Sequence, residues 1–297
     1  MAPVQSPLSL NSELTRALDL PFPPTSFSAR AKLIEHLDAH ILERLEQLAE
    51  REILPAPLRA LEARARALRL RFEAQNKRVA LRLAARIAGG QYSPQGLARA
   101  LRRCADVREA ETGYDALDEL LAELIDGGAL PELSAQLEPE MVAYQPTPGR
   151  VILALVERAA LSSSDVLCDL GSGLGWVVIV SALLSGAQGI GVELEPAYAA
   201  YANTCAQQLG LSQLRFITAD AREAPLRAAN VFYLYTPFRG SLLEHMLRRL
   251  EQEARTRQIR VCSYGPYTPT VALSPWLRLQ SPSEPDPNTL CVFESTH

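Results

Sequence analysis

Residues 166–176 have the sequence VLCDLGSGLGW, an apolar run followed by three closely spaced glycines and then a tryptophan. The run predicts a buried β-strand, and the apolar residues after Trp176 predict a helix. Glycines are needed between the two because the backbone must turn sharply and approach a ligand with no side chain in the way. The stretch therefore predicts a strand, a ligand-binding turn and a helix in succession.

The spacing of the glycines separates this turn from a dinucleotide-binding loop. Such a loop has the pattern GxGxxG, but Trp176 occupies the position of its last glycine. The pattern here is GxGxG, and Asp169 stands two residues before the first glycine. The sequence therefore does not predict a binding site for NAD.

Carboxylates also follow the next two predicted strands. Glu193 ends the strand 189–193, where a carboxylate can accept hydrogen bonds from both hydroxyls of a ribose. Asp220 follows the strand 214–218. Each has another interpretation: Glu193 as a solvated strand end, and Asp220 as the N-cap of a following helix. A ligand-binding cleft is expected at the carboxyl edge of the sheet.

Beyond Pro139, short β-rich runs alternate with amphipathic helices, which predicts βαβ units and a mostly parallel sheet. Two last runs, 276–280 and 290–295, have no helix between them and predict a terminal antiparallel strand pair. The expected fold class is α/β, a Rossmann-like sheet with that pair at its end. The parallel strands are expected at 166–170, 189–193, 214–218, 231–235 and 259–264.

These motifs resemble those of the class I S-adenosylmethionine-dependent methyltransferases. In that family the loop amides contact the methionine portion of the cofactor, the acid before the loop organises its amino end, and an acid after the third strand accepts from the adenine amino group. The resemblance implies S-adenosyl-L-methionine as cofactor. The implied cofactor-binding residues are Asp169, Gly171, Ser172, Gly173, Gly175, Glu193, Leu194, Asp220 and Ala221.

The segment 144–150, YQPTPGR, adds a finer resemblance. It is similar to the Pro-Thr segment of the seven-strand protein lysine methyltransferases, which closes over the cofactor, and Tyr144 and Thr147 match it. The likeness spans about residues 141–264. It is closest to the mitochondrial enzymes that modify ATP-synthase and nucleotide-carrier lysines, and more distant to the histone-core lysine methyltransferases.

The fourth strand leads into residues 233–238, YLYTPF, where class I enzymes carry the residues that meet the methyl acceptor. Adenine and amide N-methyltransferases have Asn or Asp with Pro-Pro-aromatic there, so methylation of a DNA base is less favoured. Aromatic rings suit an amine, because a methylated ammonium gains cation-π attraction. Tyr235 and Phe238 are therefore the acceptor-side candidates, with Thr236 and Pro237 between them. The alternative is that the aromatic residues only pack in the strand.

The N-terminal part has a different pattern. Residues 1–27 contain several Pro and Ser with little periodicity and predict an irregular leader. Apolar residues then recur every three or four positions, which predicts a helical domain over 28–140 before the methyltransferase domain, 141–297. We expect the helical domain to help select the substrate.

Composition limits the class of protein. A net charge of −4 does not indicate a globally basic nucleic-acid binder. Five widely spaced cysteines with no CxxC pair favour a reducing, cytoplasmic setting, and no run is long enough to span a membrane. His36 and His40 lack the glutamate and third ligand of a zinc motif, so no metal is expected.

One helix carries a row of arginines beside its apolar face. A solvated flank explains the row, but an acidic partner or RNA is the other interpretation. The row comprises Arg64, Arg71, Arg78, Arg82 and Arg86.

Three functions remain open. The first is a methyltransferase for a protein amine, the lysine side chain. The second is a methyltransferase for a small metabolite, with the helical domain as a lid, and the third is a cofactor-binding module that acts through protein interaction.

Overall fold

The computed structural model describes residues 25–51, 53–105, 113–126, 128, 130–132, 134, 138–142, 144–235, 238–282 and 284–296. The chain forms two compact units, one ending at Leu83 and the other Ala84–His297. Most of the predicted leader lies outside the described residues, as do Thr236 and Pro237. The predicted domain boundaries, between residues 27 and 28 and between residues 140 and 141, stay predictions.

The first unit is helical. It contains α1 (Phe27–Leu37), one wider π-helical turn (Asp38–Leu42), α2 (Glu43–Ala49) and most of α3 (Ala56–Ala88). Leucines and Ile41 from these helices form one buried cluster, as their spacing predicts. Arg71, Arg78 and Arg82 of α3 are exposed, so a role of the arginine row in binding stays a prediction.

Three helices of the second unit precede the sheet: α4 (Pro94–Arg102), α5 (Ala116–Leu124) and α6 (Gly149–Arg158). Asp115 caps α5, because its side chain accepts from the amide of Leu117 and the side chain of Asp118 accepts from the amide of Asp115. Asp118 also accepts a 2.7 Å hydrogen bond from the amide of Gly149, the first residue of α6. This bond fixes α5 to the start of α6.

The sheet of the second unit has the strand order β3-β2-β1-β4-β5-β7-β6. The strands β1 to β5 pair in parallel, and β7 lies between β5 and β6, antiparallel to both. This confirms the predicted fold class and terminal antiparallel pair. The strand order reverses between β1 and β4, and ligands of such sheets bind at this point. The strands are β1 (Val166–Leu170), β2 (Gln188–Glu193), β3 (Leu214–Thr218), β4 (Val231–Tyr235), β5 (Arg260–Tyr264), β6 (Leu277–Ser281) and β7 (Cys291–Ser295).

Helices connect the strands and contribute to the core. They are α7 (Trp176–Ser185), α8 (Pro196–Gln208), α9 (Gly240–Ala254) and the short α10 (Thr268–Ala272). Seven consecutive residues of α7, 177–183, are buried, which explains why this helix is apolar on all sides. No helix within the described ranges is both long and apolar enough to cross a membrane.

Candidate functional site

A cavity of about 280 Å³ lies at the carboxyl edge of the sheet. Its size is close to the lower end of small-molecule pockets, which hold roughly 300 to 1,000 Å³. The acceptor-side candidates Tyr235 and Phe238 contribute to its wall. So do most of the residues predicted to bind the cofactor: Tyr144, Thr147, Asp169, Gly171, Ser172, Glu193, Leu194, Asp220 and Ala221.

The glycine-rich turn begins where β1 ends. Gly171, Gly173 and Gly175 have φ angles of 89°, 51° and 83°, a region that side chains with a Cβ rarely adopt. A Cβ on Gly173 would stand 2.2 Å from the ring of Tyr144, and one on Gly175 would stand 2.7 Å from both Ala202 and Phe216. The last two glycines therefore shape the turn and its packing rather than lining the cavity.

Asp169 is the most deeply buried acid of the site, with 3% of its surface exposed. Burial, together with the negative charge of Glu193, raises the pKa of Asp169 to about 8. No hydrogen bond to this carboxylate occurs among the described residues. A cationic group of a ligand would satisfy it.

Ser172 and Trp176 contribute to the cavity wall. The Oγ of Ser172 and the Nε1 of Trp176 are buried without a partner in the described part of the chain and do not face the cavity. A buried acid and a turn without side chains fit S-adenosylmethionine, whose methionine end carries an ammonium group.

Glu193, at the end of β2, is only half-buried and already accepts two hydrogen bonds. One comes from the amide of Gly173 at 2.7 Å, and the other from the amide of Glu195 at 2.9 Å. Glu193 thus fixes the glycine-rich turn. A carboxylate has about four acceptor positions, so the remaining two are available for ribose hydroxyls.

Asp220 lies beyond β3 and is held by Arg222. The backbone amide of Arg222 donates to Asp220 at 2.8 Å, and its guanidinium donates to both carboxylate oxygens. These bonds, the side-chain bond first, lower the pKa of Asp220. The interpretation of Asp220 as a helix N-cap is wrong, because the described residues between β3 and β4 form turns and no helix; Asp220 contributes to the cavity wall.

The segment before α6 covers one side of the cavity. The ring of Tyr144 lies over Gly173 and meets the ring of Tyr198 edge-on, with centroids 5.2 Å apart. The Oγ of Thr147 is 3.2 Å from the hydroxyl of Tyr233, and both residues are buried. Burial raises the pKa of Tyr233 well above the usual range of tyrosine, so its hydroxyl stays neutral.

On the acceptor side, the two candidates differ in burial. Phe238 is 8% exposed, belongs to the hydrophobic core and pairs with Met141 in an isolated antiparallel bridge. Tyr235 is half-buried, and its ring centroid is 5.1 Å from that of Tyr264. Burial raises the pKa of Tyr235 to about 12. Phe238 therefore packs in the core, and its role on the acceptor side stays a prediction.

The sequence did not identify every residue of the wall. Tyr198 was missed because an aromatic residue in the first turn of α8 resembles ordinary core, although it follows Glu193 closely. Tyr233 and Glu195 also contribute, the first from within β4 and the second as the buried N-cap of α8. Glu195 and Tyr198 follow the end of β2 closely, and that position was the available signal for these two residues.

A known family matches part of this chain. The family model described as Histone methylation protein DOT1 matches residues 142–216. No curated protein matches the chain.

Solved structures similar to this chain include three methyltransferases. An RNA methyltransferase from Salinibacter ruber, in complex with S-adenosyl-L-homocysteine, is 26% identical over 51% of this chain and 92% of that one, with a TM-score of 0.40. A putative methyltransferase, yhhF, from Escherichia coli is 19% identical over 53% and 90%, with a TM-score of 0.41. Precorrin-6y C5,15-methyltransferase from Geobacter metallireducens is 15% identical over 52% and 92%, with a TM-score of 0.40.

The strand order, the motifs at the ends of β1 to β3 and the family match together define a class I methyltransferase. The cofactor that the motifs imply is S-adenosylmethionine. The roles of the individual cofactor-binding and acceptor-side residues stay predictions.

Proposed function

We propose that this methyltransferase transfers the methyl group to a protein amine, the side chain of lysine. The matching family model is described as a histone methylation protein, and its range includes β1, β2 and the glycine-rich turn. The Pro-Thr segment that resembles the lysine methyltransferases lies beside the cavity through Tyr144 and Thr147. Both observations support a protein acceptor.

The chemistry of the acceptor side supports an amine. The ring of Tyr235, which lines the cavity and packs on the ring of Tyr264 with centroids 5.1 Å apart, is the observation that carries this proposal. Its π-face attracts a methylated ammonium, and its hydroxyl, with a pKa of about 12, stays uncharged at neutral pH. Neither side chain provides the paired polar groups that would hold a planar amide or base.

The cofactor, when bound, would supply a methyl group on a sulfonium, and the neutral thioether would be a good leaving group. The residues of this chain then have to orient the acceptor, align it with the methyl group and keep water away from both. Asp169 is proposed to hold the amino end of the cofactor, Glu193 the ribose and Asp220 the adenine amino group. Tyr235 and Phe238 are proposed to align the amine, whose approach decides the rate.

We propose that the helical N-terminal domain helps to select the protein substrate. We also propose a cytoplasmic location, since all five cysteines are free thiols. We propose in addition that the arginine row of α3 can bind an acidic partner or RNA.

The acceptor can be tested with labelled S-adenosylmethionine in lysate that is separated into protein, RNA and small-molecule fractions. We expect label in protein, and peptide mass spectrometry should locate it on lysine. The Glu193→Ala variant is the negative control, and Arg255→Gln, at an exposed pair away from the cavity lining, is the positive one.

Other outcomes contradict the proposal. Label in the small-molecule fraction would favour a metabolite methyltransferase, and label in RNA would favour a nucleic-acid acceptor. Cofactor binding without transfer to any fraction would favour an interaction module.

A further inference from the structure

The segment before α6 crosses the carboxyl edge of the sheet. We call its described residues, 134, 138–142 and 144–147, the strap. It contacts the loops after four strands. Tyr144 covers the loop after β1, Ser134 donates to Glu195 after β2, Glu138 pairs with Arg222 after β3, and Met141 pairs with Phe238 after β4.

Further hydrogen bonds hold the strap to the elements after β2 and β4. Glu140 of the strap accepts from the hydroxyl of Ser241 at 2.7 Å and from the amide of Leu242 at 3.0 Å, in the first turn of α9. Ser134 donates to Glu195 through both its amide and its hydroxyl. The contact of Glu138 with Arg222 differs in one respect, because Arg222 also holds Asp220, the residue predicted to meet the adenine amino group.

Arg222 connects two carboxylates. Its Nη2 is 2.6 Å from Asp220 and also 2.6 Å from Glu138, and its Nε is within 3.0 Å of both oxygens of Asp220. The planar guanidinium presents donors along more than one edge, so it binds Asp220 with one part and Glu138 with another. A lysine ammonium has no such fork.

These ion pairs are partly exposed, with 22% of the Asp220 side chain, 32% of Arg222 and 49% of Glu138 accessible. An isolated pair at such a position contributes little to stability. A bidentate arginine shared by two carboxylates nevertheless fixes one geometry, because several charge-assisted bonds hold the three side chains together. The network is therefore suited to fix orientation rather than to stabilise the fold.

We propose that Arg222 is a positioning residue for the adenine end of the cofactor. It orients Asp220 at the cavity wall and, through Glu138, fastens the strap beside it. This rests on the proposed role of Asp220 but on no assumption about the methyl acceptor. Without Arg222 the carboxylate can rotate and the strap loses its attachment after β3, so bound cofactor should dissociate faster.

The test uses the full chain and S-adenosylhomocysteine, without any acceptor. Arg222→Lys, Glu138→Gln and the double variant are compared by calorimetry and by stopped-flow dissociation. We expect each single variant to raise the Kd roughly fivefold to tenfold, mainly through the dissociation rate, and the double variant to add little to Arg222→Lys. Melting temperatures should change by no more than in the control.

The matched control is Arg255→Gln, which removes a 2.9 Å pair with Glu251 at the end of α9, and it should bind as the unmodified chain does. Unchanged binding by Glu138→Gln, or fully additive effects in the double variant, would overturn the coupling of the strap to Asp220. A lower melting temperature with unchanged dissociation would show that the network only stabilises the fold. If Arg222→Lys fails to fold, the exposed Glu138→Gln decides alone.

Since no acceptor is present, failure of lysine methylation leaves this result unaffected.

Discussion

Replacing Asp169 by asparagine should change both the pH dependence of stability and the binding of the cofactor. The carboxyl of Asp169 is 3% exposed and has a pKa of about 8, raised by burial and then by Glu193. In the unfolded chain its pKa is about 3.9. The folded state therefore holds a proton at neutral pH that the unfolded state has lost.

The raised pKa decides whether stability rises or falls with pH. The contribution of Asp169 to stability is present in full below about pH 4 and is lost as the pH rises toward 8. Each pKa unit corresponds to about 1.36 kcal/mol, so between pH 4 and pH 7 this one group lowers the free energy of unfolding by about 4 kcal/mol. Asparagine does not titrate. Between pH 4 and pH 7 the free energy of unfolding of the variant should therefore rise by about 4 kcal/mol relative to that of the unmodified protein.

Cofactor binding supplies a second measurement of the same group. An ammonium beside Asp169 favours its ionised form, so binding at pH 7 should release about one proton to the buffer. Calorimetry with S-adenosylhomocysteine in two buffers of different ionisation enthalpy measures this number. Asp169→Asn should release no proton and bind at least about tenfold more weakly, since a charge-assisted contact is worth about 1.5 to 3 kcal/mol.

Chemical denaturation of both proteins at pH 4 to 8, without cofactor, completes the test. Parallel stability profiles would show that Asp169 is already ionised in the folded protein. Undiminished affinity of the variant, with no proton released by the unmodified chain, would refute the contact between Asp169 and the amino end of the cofactor.

Four further predictions concern the same cavity. S-adenosylhomocysteine should bind with a Kd on the order of micromolar and NAD should not, because Trp176 replaces the last glycine of a dinucleotide loop; calorimetric heat from NAD alone would contradict the assignment. Gly173→Val should abolish binding, since a Cβ there stands 2.2 Å from the ring of Tyr144, and circular dichroism would separate this loss from unfolding; equal affinity would make the turn merely structural. Glu193→Ala should weaken binding at least about tenfold by calorimetry, and unchanged affinity would remove it from the site. Tyr235→Ala should keep the Kd within about threefold but reduce transfer of labelled methyl about a hundredfold; retained transfer with lower stability would make it core packing.

Much of this architecture follows from local patterns. The strand from Val166, the turn with its three glycines and the helix from Trp176 are specified by consecutive residues, because burial and backbone conformation act on neighbours along the chain. The placement of Glu193 and Asp220 near one cavity also follows, since parallel strands bring their carboxyl ends to one edge of a sheet. The terminal antiparallel pair was predicted from the absence of a helix between its strands.

The partners of those residues were decided by the tertiary structure alone. The sequence does not show that Glu193 accepts from the amide of Gly173, or that Arg222 binds Glu138, because each contact joins residues 20 or 84 positions apart in the chain. It did not indicate that β7 would lie between β5 and β6. Such choices depend on which side chains and edges meet after the helices have packed on the sheet, and that packing is a property of the whole chain rather than of any window of it.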